Sequence, residues 1–379
     1  MNGVINEMRR NSVIRFLASI KITCACLFLL FILTFWGTVA QVDNGLYAAQ
    51  DRFFNSYFFL IGGFLPFPGA QMVLWVLFLN LLAAAPLRMV LRWSHLGILI
   101  THAGLLIYFV AAFVTLHQTV ESSVTLRETE ATNLSQSYGN WELSLWQGDG
   151  GTRTVTALDT GELKSGDQIT FGPHLPAFTV AHYYRNSEAY QGETTGPTPL
   201  NASGITVLKD IAPDKEPGRN FPGLMMVPLN MEKPAPVIVY GGEPNPTAIS
   251  LNGQNYNVQL RRKRWPLPFL LTLKDFRMER HPNTEVARSY ESTVTISHDN
   301  VTRDILISMN EPLRFKDFTL YQSSYAIDQM GRESSTLAVV KNSGRILPYV
   351  ASLLTFAGLA VHFLTMAFVP AFQKARMRI

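Results

Sequence analysis

The sequence predicts an integral membrane protein with four transmembrane helices and one large, mostly-β, sandwich-like extracytoplasmic domain. Two observations carry this fold class. Of the 379 residues, 47% are hydrophobic and only 16% are charged, which is too apolar for an ordinary soluble protein. Apolar runs long enough to cross a bilayer lie near both ends of the chain, whereas residues 118–345 alternate apolar and polar side chains.

The first 40 residues contain a basic segment followed by the first predicted span. Four basic residues are interspersed with apolar ones in residues 1–21, which predicts a cytoplasmic or interfacial helix. Residues 22–40 are long and apolar enough to cross the membrane. Residues 37–40 could pass for a signal-peptidase site, but the apolar run is longer than a signal-peptide core. We therefore expect an uncleaved anchor.

Residues 41–70 are predicted to form an external loop with a short interfacial segment. A Gly-Gly pair and two prolines interrupt its apolar stretch before it reaches spanning length. Residues 71–87 form the second predicted span, which is shorter than ideal. The third runs from 94 to 117 and contains no Asp, Glu, Lys or Arg.

The fourth predicted span is residues 346–369, and residues 370–379 form a basic tail. Basic residues thus flank the first span, the turn between the second and third spans, and the end of the fourth. Because positive charge accumulates on the cytoplasmic side of membrane proteins, both termini are predicted to be cytoplasmic. This places residues 118–345 on the extracytoplasmic side of the membrane.

The predicted external domain shows the two-residue period of antiparallel strands. Residues 141–146 and 318–325 are examples, and glycine, proline and asparagine separate such segments. Residues 186–230 contain many prolines and glycines and are predicted to be a long loop or insertion. The aromatic residues between 310 and 325 are expected to pack in a core or against a partner.

Several common function classes lack their sequence signals. The chain has no glycine-rich phosphate loop, no HExxH, no paired CxxC and no G-x-S-x-G, and its net charge of +4 reflects basic residues beside apolar runs. We therefore expect no nucleic-acid partner. Cys24 and Cys26 are the only cysteines, and we interpret them as small apolar residues of the first span rather than a redox pair.

The histidine in the third predicted span is the main candidate for a functional residue. His102 lies about 9 Å from the Leu96 end of an uncharged run, where an unpartnered imidazole is costly. Residue type and depth leave two interpretations equal: an axial ligand to haem iron, or a hydrogen bond to a neighbouring helix. His95 lies seven residues earlier on the same helix face. It is a weaker candidate because it lies at the basic turn, where water can satisfy it.

The other histidines carry less specific signals. His362 lies in the fourth predicted span at a depth predicted to match that of His102, which makes it a candidate second ligand to one iron. His117, at the outer end of the third span, is either an external axial ligand or, as we prefer, an interfacial residue. Four histidines of the external domain lack metal-ligand spacing and are interpreted as surface or packing residues, namely His174, His182, His281 and His298.

Two blocks in the last third of the chain resemble the ResB (CcsB) family of System II cytochrome c biogenesis proteins. The first contains TLKDF and SYESTVT, and the second is NEPLRFKDFTLYQSSY, directly before the last span. FLASIKIT before the first span and THAGLLIYFVAAFVT in the third are also similar, as is the order of three spans, external domain and fourth span. Residues 120–260 match poorly.

This resemblance implies a haem-handling function. The family moves haem b across the membrane with a CcsA/ResC-type partner and presents it to the CxxCH motifs of apocytochrome c, alongside thiol-reducing proteins of the same pathway. The position of His102 in the THAG sequence implies that it is the axial ligand to the transported haem iron. The resemblance places the second intramembrane ligand on the partner rather than at His362.

The resemblance also implies a subunit of a haem lyase rather than an enzyme by itself. The tryptophan-rich haem-handling segment of the partner does not occur here, so the chain resembles the ResB half alone. Two alternatives stay open from the residues: a membrane redox subunit that holds haem b for electron transfer, and a structural anchor that displays an external β domain.

Overall fold

A computed structural model describes residues 11–88, 95–148, 153–193, 196–229, 234–284 and 286–376. The chain divides into two compact units. One unit is helical and comprises the described residues up to Val120 and from Lys341 onward. The other unit, Glu121–Val340, consists mostly of β-strands.

Three helices of the first unit are long and apolar enough to cross a membrane. They are Ile20–Asn44, Leu96–Gln118 and Leu347–Phe368, with mean hydropathies of 2.2, 2.1 and 1.8. The helices among the described residues of this unit are α1 Ser12–Leu17, α2 Ile20–Asn44, α3 Leu46–Ala49, a π-helical turn Gln50–Phe54, α4 Ala70–Arg88, α5 Leu96–Gln118 and α6 Leu347–Arg376. The prediction of membrane helices around a mostly-β domain is therefore confirmed.

The predicted total of four spans is not confirmed. The second predicted span does form a helix, α4, but its apolar part is only Ala70–Ala84. At about 1.5 Å per residue this part is about 22 Å long, which is less than the roughly 30 Å of a hydrocarbon core. Residues 89–94, which include the predicted basic turn, and residues 1–10 and 377–379 lie outside the described residues.

A buried asparagine on α4 satisfies the backbone where α1 and α2 meet. Asn80 is only 3% exposed, and its amide nitrogen donates to the carbonyl oxygens of Leu17 and Ser19, the latter at 3.0 Å. Its amide oxygen accepts from the Thr23 hydroxyl at 2.7 Å. Helix ends leave unpaired carbonyls, which are costly in an apolar environment, so this one side chain stabilises the break between the two helices.

The loop between α2 and α4 is more ordered than the sequence indicates. It contains α3, the π-helical turn and a hairpin of β1 Phe58–Ile61 and β2 Leu65–Pro68. The Gly-Gly pair forms the hairpin turn, with φ of 63° at Gly62 and 82° at Gly63, angles that side chains other than glycine rarely adopt. Aromatic side chains from α2, the turn and both strands form the local core, namely Trp36, Phe53, Phe59 and Phe67.

The β unit contains a sheet of ten strands, one of four and one of two. Its strands are β3 Val120–Arg127, β4 Ala131–Gln147, β5 Val155–Asp159, β6 Gln168–Thr170, β7 Ala177–Tyr184, β8 Ser187–Tyr190, β9 Val207–Asp210, β10 Gly223–Pro228, β11 Val237–Tyr240, β12 Thr247–Leu251, β13 Gln254–Arg280, β14 Ala287–His298, β15 Val301–Ser308, β16 Leu313–Phe315, β17 Phe318–Ile327 and β18 Glu333–Lys341. A 3₁₀ turn covers Pro217–Arg219.

Two long paired strands, β4 and β13, connect two separate hydrophobic cores. The first core lies between one half of this pair and the four-stranded sheet β11-β10-β7-β6, and includes Trp141, Phe178 and Val258. The second is lined by the other half of β13 together with β3 and β14–β18. Strands from both ends of the large sheet contribute to this second core, so the sheet curls around it.

A buried ion pair and a stacked arginine lie where β4 and β13 run side by side. The Glu142 carboxylate and the Arg261 guanidinium are 2.8 Å apart, and both side chains are almost fully buried. The neighbouring Arg262 guanidinium lies 4.1 Å from the Trp141 ring and donates to the Tyr138 and Gly218 carbonyls at 2.6 Å each. Burial lowers the pKa of Arg262, but an arginine stays charged at neutral pH.

The long loop predicted for residues 186–230 is wrong in part. The segment contains β8 and β9, which form a two-stranded sheet, and β10, which is an inner strand of the four-stranded sheet. The physical reason is that these strands are only four to six residues long and are separated by prolines and glycines. A short strand between turn residues gives no clear two-residue period.

Three of the four aromatic residues expected to pack between 310 and 325 do so. Phe318 is buried in the second core, and Phe315 and Tyr325 pack against it. The Tyr325 ring lies 5.8 Å from Phe276 and 5.4 Å from Tyr290. Tyr321 is instead 42% exposed.

This difference predicts unequal effects of two matched substitutions. Tyr325→Ala should lower the free energy of unfolding of the β unit by about 1–3 kcal/mol, because it removes aromatic contacts at the core. Tyr321→Ala should change it by less than about 0.5 kcal/mol. Pulse proteolysis of the full-length protein in detergent, across a denaturant series, measures both. Equal losses for the two variants would show that Tyr325 does not support the core.

Candidate functional site

Glycines bring the third and last apolar helices into direct contact. A Cβ placed on Gly97 of α5 would lie 2.6 Å from both the Gly358 carbonyl oxygen and the His362 Cα of α6. About two helical turns further along α5, a Cβ on Gly104 would lie 2.8 Å from the Thr355 backbone nitrogen. These distances are below van der Waals contact, so only glycine fits. Small residues at such positions are typical of membrane helices whose backbones pack closely.

The α5–α6 contact also fixes the level of His362, meaning its position along the helix axis relative to α5. The helices are antiparallel, since Gly97 meets His362 and Gly104 meets Thr355 and Ala351. His362 is therefore level with the beginning of α5, and His102 lies five residues, about 7.5 Å, further along. The predicted match in depth between His102 and His362 is wrong, because a count from each sequence end cannot fix the register of two helices.

The same contact argues against one iron held by His102 and His362. The glycine contacts leave no gap between α5 and α6 on either side of His102. A flat ring cannot enter there. His102 follows Gly97 by five residues, which turns it about 140° away from the face that meets α6.

His102 has one ring nitrogen engaged within its own helix. Its Nδ1 lies 2.8 Å from the Ile98 carbonyl oxygen, and because a carbonyl only accepts, Nδ1 carries the proton and donates. In the neutral ring this leaves the Nε2 lone pair free, and the residue is partly exposed. A backbone hydrogen bond that fixes one nitrogen and frees the other is the usual arrangement of a metal-binding histidine. In the described part of the chain, His102 makes no hydrogen bond to another helix.

His95 and His362 lie toward the end of the α5–α6 pair that is farther from the chain connections to β3 and β18. The Nδ1 atoms of both are buried and have no hydrogen-bond partner among the described residues. His95 directly precedes α5. Neither His95 nor His362 lies where it could bind the same iron atom as His102.

Sequence reasoning missed an aromatic pocket between α4 and α5. The pocket has a volume of about 390 Å³. Its aromatic lining comes from both helices: Trp75 and Phe78 of α4, and Tyr108, Phe109 and Phe113 of α5. His117 lies at its rim, with its ring 4.5 Å from that of Phe113. The available signal was the spacing of three or four residues between aromatic side chains, which places them on one helix face.

The β-unit histidines show no metal-ligand geometry. His298 is held by its neighbours: Nδ1 lies 2.6 Å from the Pro268 carbonyl oxygen, and Nε2 lies 2.6 Å from Lys316 Nζ and 2.8 Å from an Asp299 oxygen. His182 is exposed and stacks on Tyr184. Among the described residues, no group of three or more His, Cys, Asp or Glu side chains could hold a metal ion.

The two cysteines of α2 have different surroundings. Cys24 is exposed and Cys26 is buried in the core beside the hairpin, and neither forms a disulfide. Cys26 therefore packs as a small apolar residue, as its sequence context predicts.

Comparison with known proteins identifies the last part of the β unit. Residues 230–341 match the ResB-like family. This part of the chain is ResB-like. Protein NrfI of Wolinella succinogenes is 31% identical over 96 residues, which are 25% of this chain and 10% of that protein. The family resemblance predicted from the sequence is therefore confirmed.

The ResB-like match is confined to the second half of the β unit. Residues 230–341 include β11–β18 and the second core, together with His298. His102 and the aromatic pocket lie outside this range. Their roles have to be argued from the geometry of α4 and α5 themselves.

The glycine contact generates a matched pair of substitutions. Gly104→Leu should destabilise the helical unit by about 1–3 kcal/mol, because the added side chain meets the backbone of α6. Ala103→Leu adds the same side chain one residue earlier, at an exposed position, and should have little effect. Thermal unfolding in detergent, followed by tryptophan fluorescence, compares them. If both variants unfold like the wild type, α5 and α6 do not pack through Gly104.

Proposed function

We propose that this ResB-like chain is the haem-handling membrane subunit of a cytochrome c maturation complex. The family match indicates a role in cytochrome c biogenesis. On this proposal the chain works with a CcsA/ResC-type membrane partner, moves haem b across the membrane, and presents it for attachment to the CxxCH motifs of apocytochromes c. Haem is the transported substrate rather than a resident cofactor.

The geometry of His102 is the observation that carries the proposal. Its Nδ1–H is held by the Ile98 carbonyl, so Nε2 of the neutral ring is available to iron. The ring points away from the α5–α6 contact and lies on the side of α5 whose aromatic residues meet α4. An imidazole in a helix without charged residues needs such a partner more than a surface histidine does.

The second axial ligand is proposed to come from the partner. The position of His362 along α6 and the closed glycine contact both favour a ligand from the partner over His362. His95 has a buried Nδ1 but lies seven residues, about 10 Å, from His102 along the chain. One ligand on each protein would make stable haem binding depend on assembly of the complex.

The orientation in the membrane is part of the same proposal. Basic residues near the first span, after α4 and beyond the last span support cytoplasmic termini in the bacterial inner membrane. The β unit then lies on the periplasmic side, where apocytochromes c receive haem. Thiol-reducing proteins that keep the CxxCH cysteines reduced would act on the same side.

Substitution of His102 tests the proposal directly. The His102→Ala complex, purified with its partner, should lose most of its haem and its histidine-ligated absorption spectrum, because one axial ligand is gone. Added imidazole should restore part of the spectrum by filling the vacated position. His182→Ala, which removes an exposed histidine of the β unit, is the matched control and should retain both.

Two outcomes would contradict the proposal. Unchanged haem content and spectrum in the His102→Ala complex would exclude His102 as a ligand. A stable, redox-active haem in the wild-type chain without its partner would favour electron transfer over delivery.

A further inference from the structure

The hairpin of β1 and β2 is apolar on both faces. Its strands, FFLI and LPFP, contain no polar side chain. The inner face places the rings of Phe59 and Phe67 at 5.8 Å and 6.1 Å from the ring of Trp36 on α2. The outer face leaves Phe58 57% and Leu60 50% exposed. An antiparallel pair with one face in water alternates apolar and polar residues, so this outer face does not suit water.

Helix α4 begins far below the level at which the uncharged run of α2 ends. Asn80 of α4 accepts a hydrogen bond from Thr23, near the start of α2. Ten residues earlier on α4, Ala70 shares a core with Leu33, which lies ten residues further along α2. The helices are thus antiparallel, and Ala70 is level with Leu33. From Leu33 the uncharged run continues to Asp43, a distance of about 15 Å, which is half of a hydrocarbon core of about 30 Å.

The hairpin and the π-helical turn fill this remaining depth beside α2. Both pack on Trp36, which lies about 10 Å before Asp43 along the helix. The ring of Phe53, in the turn, is 5.4 Å from that of Trp36. A Cβ on the next residue, Gly37, would lie 2.7 Å from a ring atom of Phe54, so the turn closely approaches the α2 backbone. The length that α4 lacks as a span is therefore occupied by other elements of the same chain.

The free edge of β2 carries no backbone N–H. The Gly69 nitrogen donates to the Tyr57 carbonyl oxygen at 2.8 Å, and hydrogen-bonded pairs alternate along an antiparallel ladder. Pro66 and Pro68 therefore occupy the positions whose nitrogens face outward. Proline has no N–H to leave unpaired. Because an unpaired backbone group is costly in lipid, this edge is suited to apolar surroundings.

On the free edge of β1, an arginine covers an outward carbonyl. The Arg52 guanidinium donates to the Leu60 carbonyl oxygen at 3.0 Å and lies 5.5 Å from the rings of both Phe53 and Phe59. Arg52 is the only basic residue between residues 41 and 70. Long basic side chains at the membrane interface lay their stems on apolar surface while the charge reaches the headgroups.

Lipid fits the outer face of the hairpin better than a protein partner does. Protein contacts within a membrane favour small residues, which allow close approach, and side chains that form hydrogen bonds. The two strands contain neither kind. Acyl chains require only an apolar surface.

We propose that the β1–β2 hairpin is inserted in one leaflet of the membrane, at the Asn44 end of α2, with its outer face against lipid acyl chains and Arg52 at the headgroups. Together with α4 it forms one composite crossing, part hairpin and part helix. This inference rests on the helical unit alone and does not depend on haem binding by His102.

Nitroxide labels on the full-length chain in lipid nanodiscs test the insertion. Phe58→Cys, in a chain that also carries Cys24→Ala and Cys26→Ala, places a single label on the outer face. Collision rates are measured with O₂, which concentrates among acyl chains, and with a polar nickel chelate, which stays in water. The ratio of the O₂ rate to the nickel rate should be about tenfold higher at position 58 than at a water-exposed position, because hydrocarbon excludes the polar chelate.

Val286→Cys in the same background is the matched water-exposed control. Val286 is 64% exposed and lies between β13 and β14 of the β unit. Leu60→Cys repeats the measurement on the outer face of the hairpin, so the test does not depend on one variant. Thermal unfolding of each labelled chain verifies that its fold is retained.

Two results would overturn the inference. Nickel collision rates at positions 58 and 60 as high as at position 286 would place the hairpin in water. Low rates with both reagents would assign its outer face to a protein contact, such as a second copy of the chain. Either result would leave the role proposed for His102 unaffected.

Discussion

The contact between α5 and α6 through bare glycine backbone is the constraint on which the helical unit depends. Gly97, Gly104 and Gly358 let two long helices, separated by more than 200 residues in the sequence, touch along their length. In lipid there is little hydrophobic gain from bringing apolar helices together, so close packing of this kind supplies most of the attraction.

The glycine contact also determines where His102 and His362 lie relative to the neighbouring helix. It fixes the rotation of α5, so that His102 points away from α6, and it fixes the register of α6, so that His362 lies level with the start of α5. A histidine buried in the contact would need a partner there to offset its desolvation. His102 avoids this cost at Nδ1 through the Ile98 carbonyl and keeps Nε2 for a ligand from outside the chain. Orientation, rather than depth alone, separates His102 from the other intramembrane histidines.

The general architecture was predictable because it depends on local sequence pattern. Uncharged runs identify the helices, and the two-residue period in segments such as 141–146 identifies the strands. The register of α5 against α6 was not predictable, because it depends on which glycines meet across the chain. Strands β8 and β10 were missed because short strands in a segment rich in proline and glycine carry no clear period. The role of Asn80 was hidden for a related reason: its partners lie about 60 residues away.

The choice of His102 as a candidate residue follows from the sequence, whereas the existence of the aromatic pocket does not. A lone histidine in an uncharged run is visible in any hydropathy profile. The pocket depends on Trp75 and Phe78 of one helix facing Phe113 and Phe109 of the next, and each pair alone looks like ordinary apolar membrane sequence. The spacing within each helix indicates one aromatic face, but only the pairing of α4 with α5 makes a pocket of the two faces.

If the chain transports haem as proposed, transport limits how tightly His102 can hold it. A carrier must bind its substrate well enough to load and weakly enough to release it, as sites along a channel do. A chain that supplied both axial ligands at one level would hold haem too firmly to pass it on. Because the glycine contact closes the space between α5 and α6, the chain would on the proposed function supply only one ligand, His102. The second ligand would then come from the partner, and breaking its bond to iron would free haem to leave His102.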